Sequence, residues 1–210
     1  VIDEAKSYYS LARSYALAAL PELSMLIVMG MPGTGKTTLA QALARHWGLP
    51  VLSSDLLRKR LGGLAPTQHA YASFGEGLYS EQADHETYGA LMVEAEGALK
   101  SGSLILDASF RAPEFRERAA QVAQRAGGTA WFIECTATDD RVRERIRKRV
   151  ASGKSPSDAT YDVHERVRDT WVSMAAPPGA KHIVVDTGGS PPVVLSAAVR
   201  RLFEAAISFR

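Results

Sequence analysis

The sequence has a single cysteine, Cys135, in 210 residues. That excludes an internal disulfide, so stability must come from a packed core, and a reducing, cytoplasmic setting is expected. No apolar run approaches the ~20 residues of a membrane span. The longest, around residues 25–31, has the length of a strand, and no membrane partner is expected. Net charge is small, 25 basic against 23 acidic residues for +2, so a nucleic-acid footprint, if present, has to be local rather than global. The five histidines, His46, His69, His85, His164 and His182, are scattered without metal-ligand spacing. Disorder, collagen and disulfide scaffolds are excluded by a composition that is 46% hydrophobic and 23% charged. The length suits one domain, or one plus an appendage, with a substantial core.

Residues 3–20 are rich in Ala and Leu and read as a helix that Pro21 ends. Tyr8, Leu11, Tyr15 and Ala18 fall on one face of it. This gives a connector helix over 1–22 and a main domain over 23–210. Because the chain opens on Val1 rather than Met, a fused domain upstream is expected.

Beyond Pro21, strand and helix signals alternate. Strands are expected at 25–29, 50–53, 104–106, 130–134 and 181–185. Helices are expected at 37–46, in stretches from Asp55 through Lys100, and at 113–125, 139–151 and 192–207. Strands alternating with helices of ten or more residues argue for an α/β fold with a parallel sheet covered on both faces. The stretches 62–77 and 153–160 are the least periodic and are candidate substrate-facing segments.

Gly30-Met-Pro-Gly-Thr-Gly35-Lys36-Thr37 fits the pattern G-x-x-x-x-G-K-[ST], with a strand before it and a helix after it. Glycines let successive backbone N–H groups turn toward phosphate oxygens, and the helix adds its positive N-terminal end. Lys36 has the reach to contact the β and γ phosphates, and the Thr37 hydroxyl suits Mg²⁺. The expected ATP contacts are therefore Gly30, Pro32, Gly33, Thr34, Gly35, Lys36, Thr37 and Thr38.

Ligands of open α/β sheets bind outside the carboxyl ends of the strands. After the second strand comes Ser54-Asp55-Leu-Leu-Arg58. A carboxylate at Asp55 can hold an attacking hydroxyl or accept its proton, and Arg58, one helical turn on, can contact a phosphate. The third strand ends in Asp107, the place for an acid that holds Mg²⁺. Helix 139–151 is crowded with Arg141, Arg143, Arg145, Arg147, Lys148 and Arg149. Arg141, Arg145 and Arg149 share a face, and Glu144 can pair with Lys148. A basic helix followed by a polar stretch suits a lid that closes over ATP and excludes water. Cys135 reads as buried filler, and Tyr71, Phe74 and Tyr79 as core residues, the lining of a small-molecule pocket or base-stacking platforms.

The phosphate loop, Ser54-Asp55-x-x-Arg58, Leu-Asp107-Ala-Ser-Phe, and Arg145-x-x-x-Arg149 with Ser157-Asp158-Ala159 together resemble the P-loop kinase group. The resemblance covers about residues 24–190. It is strongest to AAA_33-type ATP-binding domains related to polynucleotide 5′-hydroxyl kinases. Zeta-toxin, gluconate-kinase and chloramphenicol-phosphotransferase relatives are more distant. Asp107 is followed by Ala-Ser where Ala-Thr is commoner. The resemblance implies a P-loop NTPase three-layer sandwich, its five parallel strands in the order 2-3-1-4-5 with a small helical lid. It places adenine around Thr187–Gly189, with Thr187 and Gly188 as ATP contacts, gives Asp55 and Arg58 to the acceptor, and gives Arg145 and Arg149 to the transferring phosphoryl group. It also implies a fused aminoglycoside-phosphotransferase-like domain upstream.

The expected activity is transfer of the γ-phosphoryl of Mg-ATP to a hydroxyl, on a small molecule or a polynucleotide 5′ end. Lys36, Asp55, Arg58, Arg145 and Arg149 are the catalytic candidates, and Thr37 and Asp107 the metal ligands. The alternatives are a nucleotide-binding regulatory ATPase module of a larger protein and a toxin-type nucleotide-sugar kinase.

Overall fold

A computed structural model describes residues 4, 23–66, 68, 80–152, 159–171 and 175–207. The expected connector helix, the aromatic residues Tyr71, Phe74 and Tyr79, and Ser157 and Asp158 lie outside these, Glu4 apart.

The core of the fold is the strand that feeds the phosphate loop, β1 (Ser24–Met29), whose six residues are all buried. An apolar run with no polar alternation is what a strand covered on both faces requires. β1 runs parallel to β3 (Leu104–Asp107) on one side and to β4 (Thr129–Thr136) on the other. β2 (Val51–Ser53) extends the sheet beyond β3, and β5 (Lys181–Asp186) extends it beyond β4. The order is β2-β3-β1-β4-β5, all parallel, as the resemblance implied.

Alternate residues of β1 face opposite layers. Met25, Ile27 and Met29 join Leu106 and Phe132 under α3 (Glu81–Leu99) and α4 (Pro113–Arg125). Leu26 and Val28 join Trp131, Ile133 and Val185 under α1 (Lys36–Trp47) and α7 (Pro191–Ile207). Each buried Leu, Ile or Phe contributes roughly 1.5–3 kcal/mol, so these two clusters hold the three layers together.

The sequence-based element positions hold to within two residues, with one difference. Among the described residues the helical stretches expected from Asp55 through Lys100 are α2 (Ser54–Leu61) and α3, the latter capped by the Ser80 hydroxyl, which accepts from the Ala83 N–H at 3.2 Å. A further helix, α6 (Tyr161–Asp169), follows α5 (Asp139–Ser152) and was not expected. Its apolar face consists of little more than Val163 and Val167, so its sequence reads as polar. Among the described residues no helix is long and apolar enough to cross a membrane.

Candidate active site

The carboxyl ends of β1, β2 and β3 open into a cavity of about 610 Å³. The phosphate loop forms its floor. Gly30, Gly33 and Gly35 take φ of 139°, 81° and 90°, in or beyond the left-handed region where side chains are strained. Gly30 is needed for space as well, since a Cβ there would stand 2.6 Å from the Cys135 carbonyl oxygen. Gly35 is the N-cap of α1, so the helix begins on the loop with its first N–H groups free of intrahelical partners.

Lys36 folds back over the loop and donates to the Met31 carbonyl at 3.0 Å. Burial pushes its ammonium pKa down, opposed by the nearby Asp107 and Asp55 carboxylates. Asp107 is 5% exposed. Burial raises its carboxyl to about 6, against the pull of Lys36 and of a hydrogen bond with the Thr37 side chain. Thr37 and Asp107 thus bring two oxygen ligands together at a helix N-terminus. Magnesium favours oxygen ligands and keeps several of its waters, so the donor set fits it.

Asp55 lines the cavity from the first turn of α2 and lies close enough to Lys36 and Asp107 to influence both. Arg58, one turn on, also lines it, but its guanidinium is largely buried and donates to Asp84 of α3 at 2.6 Å. Arg111 reaches the other oxygen of Asp84 at 3.7 Å. Asp84, Ser109 and Arg111 therefore belong to the same end of the cavity, although nothing in the sequence ranked them as site residues.

The loop after β3 is tightly held. Phe110 has φ 47°, a conformation costing roughly 1–3 kcal/mol outside glycine. Its N–H donates to the Tyr88 hydroxyl at 2.9 Å, and its carbonyl accepts from Arg116 Nε at 2.7 Å. Arg116 also donates to the Arg111 carbonyl at 2.8 Å, and the Tyr88 and Ser109 hydroxyls stand 3.1 Å apart. Burial pushes the Tyr88 phenol up to about 12, so it stays protonated. These bonds fix the backbone that carries Ser109 and Arg111.

The opposite end of the cavity is formed by α5, α6 and the segment after β5. Arg145 donates to the Thr187 hydroxyl at 3.1 Å and also to the Thr187 carbonyl. The Thr187 hydroxyl lies within hydrogen-bonding distance of the Thr34 and Thr136 carbonyls. Arg149 donates to the Ala159 carbonyl, joining α5 to the approach of α6. Thr38, Ala42, Gly189, Pro191 and Val194 also line the cavity, and all but Thr38 present it with apolar surface. Gly188, expected beside adenine, is not among the lining residues. Its N–H donates to Asp186 Oδ1 at 2.8 Å, a local turn that leaves Gly189 to face the cavity instead.

The structure thus gathers Pro32, Gly33, Gly35, Lys36, Thr37, Thr38, Asp55, Arg58, Asp107, Arg145, Arg149 and Thr187 around one space. Gly30 and the buried Thr34 shape the loop from beneath it. Cys135 is buried filler, as expected, with its thiol pushed up to about 12. Glu144 and Lys148 form the expected surface pair at 2.6 Å.

A family model described as AAA domain, AAA_33, matches residues 25–176. An uncharacterised protein of Mycobacterium tuberculosis is 34% identical over 140 residues, 66% of this chain and 28% of that protein. The match thus spans little more than a quarter of that curated relative. A cytidylate kinase of Pyrobaculum aerophilum is 28% identical over 152 residues, 68% of each chain. The crystal structure of a candidate kinase of Chloroflexus aurantiacus superposes with a TM-score of 0.65 at 28% identity, over 88% of this chain and 98% of that one.

Proposed function

The chain belongs to the AAA_33 family, within the P-loop kinases, and from that premise we propose that it transfers the γ-phosphoryl of ATP to a hydroxyl acceptor. The observation that carries this reading is the position of Asp55. A carboxylate reaches into the same cavity as the phosphate-loop lysine, close enough to shift it, and beside an arginine on the next helical turn. A cavity that only bound nucleotide would not need that group.

In this reading the N–H groups of the loop and of the start of α1 bind the ATP phosphates, and the apolar end near Pro191 and Val194 takes the base. Lys36 exchanges the Met31 carbonyl for phosphate oxygens. Thr37 and Asp107 would hold Mg²⁺, which would neutralise phosphate charge. Asp55 orients the acceptor hydroxyl and accepts its proton as the oxygen attacks phosphorus. Arg58, held by Asp84, and Arg111 face the acceptor. Arg145 and Arg149 supply positive charge on the nucleotide side. Most of the rate enhancement comes from positioning and fixed charge. The acceptor is a hydroxyl-bearing small molecule or a polynucleotide 5′ end, and the protein as a whole joins this domain to others.

The test is label transfer from γ-labelled ATP to a panel of 5′-hydroxyl DNA and RNA oligonucleotides, sugars, aminoglycosides and nucleosides. Label in one acceptor class supports the reading. Label appearing only as inorganic phosphate would favour a regulatory ATPase module.

A further inference from the structure

His164 lies on the helix that the sequence did not reveal, and none of the roles above uses it. The residue is buried, 2% exposed, yet it does not line the cavity, although its neighbour Val163 does. Its Nδ1 stands 2.8 Å from the carbonyl oxygen of Pro32, 132 residues earlier in the phosphate loop. A carbonyl only accepts, so Nδ1 carries the proton in this contact. Nε2 is 3.7 Å from Asp139 of α5, and the Tyr161 ring stacks alongside at 5.7 Å. The imidazole therefore joins α5, α6 and the loop from behind the phosphate site.

We infer that His164 is a positioning residue for the phosphate cradle, holding the Pro32 carbonyl outward so that the Gly33 N–H points at the nucleotide phosphates. The peptide unit is planar and trans, so its C=O and N–H point in opposite directions. Fixing one aims the other. Both residues of this unit line the cavity, and glycine at 33 leaves the unit free to rotate unless something holds it. The Thr187 hydroxyl does the equivalent for the Thr34 carbonyl and the Gly35 N–H. Two glycine amides of the loop, those of Gly33 and Gly35, are thus preset by side chains from elements far away in sequence. The role is positioning, because the imidazole touches the loop and does not line the cavity. It rests on the reading that the loop binds nucleotide phosphates.

The experiment is calorimetric titration of Mg-ADP into the intact chain, into His164→Leu and into His164→Asn, with unfolding midpoints measured alongside. The asparagine Nδ2 can stand where the imidazole Nδ1 stands, whereas leucine offers no donor. Both variants lose the approach to Asp139, so their difference isolates the bond to Pro32. We expect His164→Leu to bind Mg-ADP about five- to tenfold more weakly, the range of one neutral hydrogen bond, and His164→Asn to recover to within about twofold. Equal affinity of His164→Leu and wild type would overturn the inference, as would His164→Asn binding no better than His164→Leu. Failure of the wild-type chain to bind Mg-ADP would overturn the nucleotide reading itself, and the inference with it.

Discussion

A Cβ placed on Gly33 would stand 2.8 Å from Cγ1 of Val142 and 3.0 Å from two carbons of Ile146. The phosphate loop is therefore packed directly against α5, the helix that carries Arg145 and Arg149. Loop shape and the placement of both arginines depend on the same contact. Gly33 also has φ 81°, so a side chain meets strain as well as crowding.

Gly33→Ala is accordingly expected to weaken Mg-ADP binding at least about tenfold while lowering stability by only about 1–2 kcal/mol. Calorimetry and urea denaturation on the same preparation check both. Unchanged affinity would mean that the loop adapts without disturbing the phosphate site.

Asp55→Asn keeps the size of the side chain and removes its basicity. Phosphoryl transfer should fall by about 10²-fold or more, the usual contribution of a positioned general base, while Mg-ADP affinity stays within about twofold because the cradle is intact. Steady-state kinetics with calorimetry separate the two. A variant that still transfers at the wild-type rate would remove Asp55 from the mechanism.

Asp107 sits where its charge costs stability. Its carboxyl is raised to about 6 from 3.8, so the folded state binds the proton more tightly than the unfolded chain. The stability linked to this group is full below 3.8 and is lost as pH rises through about 6. In chelator, Asp107→Asn should therefore be more stable than wild type by about 1–2 kcal/mol near neutral pH, the gap closing on acidification. The same variant should lose Mg-dependent transfer. A destabilised Asp107→Asn at neutral pH would contradict the assignment.

Glu134 behaves in the opposite sense. Hydrogen bonds from His182 Nε2 at 2.9 Å and Trp171 Nε1 at 3.2 Å hold its carboxyl below the usual 4.5. Its contribution is present above 4.5 and is lost as pH falls through the lowered folded value. Glu134→Gln should be less stable than wild type at neutral pH and should lose less stability on acidification below 4.5. Urea midpoints across the acid range check this. Parallel pH profiles for the two proteins would show that the cluster does not tie the Trp171 segment to the sheet.

Much of this was legible in the sequence because it is local. The phosphate loop is contiguous, β1 and β3 carry the apolar runs Met25–Met29 and Leu104–Leu106, and Asp55 and Asp107 stand at strand ends. What could not be read depends on chain segments meeting. Arg58 finds Asp84 26 residues away, and His164 finds Pro32 132 residues away. No spacing rule links such pairs. Helix α6 was missed because its buried face holds few apolar residues beside His164. Within the expected stretch Thr187–Gly189, which glycine faces the cavity turns on one side-chain bond to Asp186, below the reach of a motif.

That one cavity holds both nucleotide and acceptor is tested most directly by ATP consumption with Mg²⁺ and the acceptor panel, with Lys36→Ala as the blank. Turnover should be stimulated by one acceptor class and abolished in Lys36→Ala. Turnover indifferent to every acceptor, or surviving in Lys36→Ala, would contradict it.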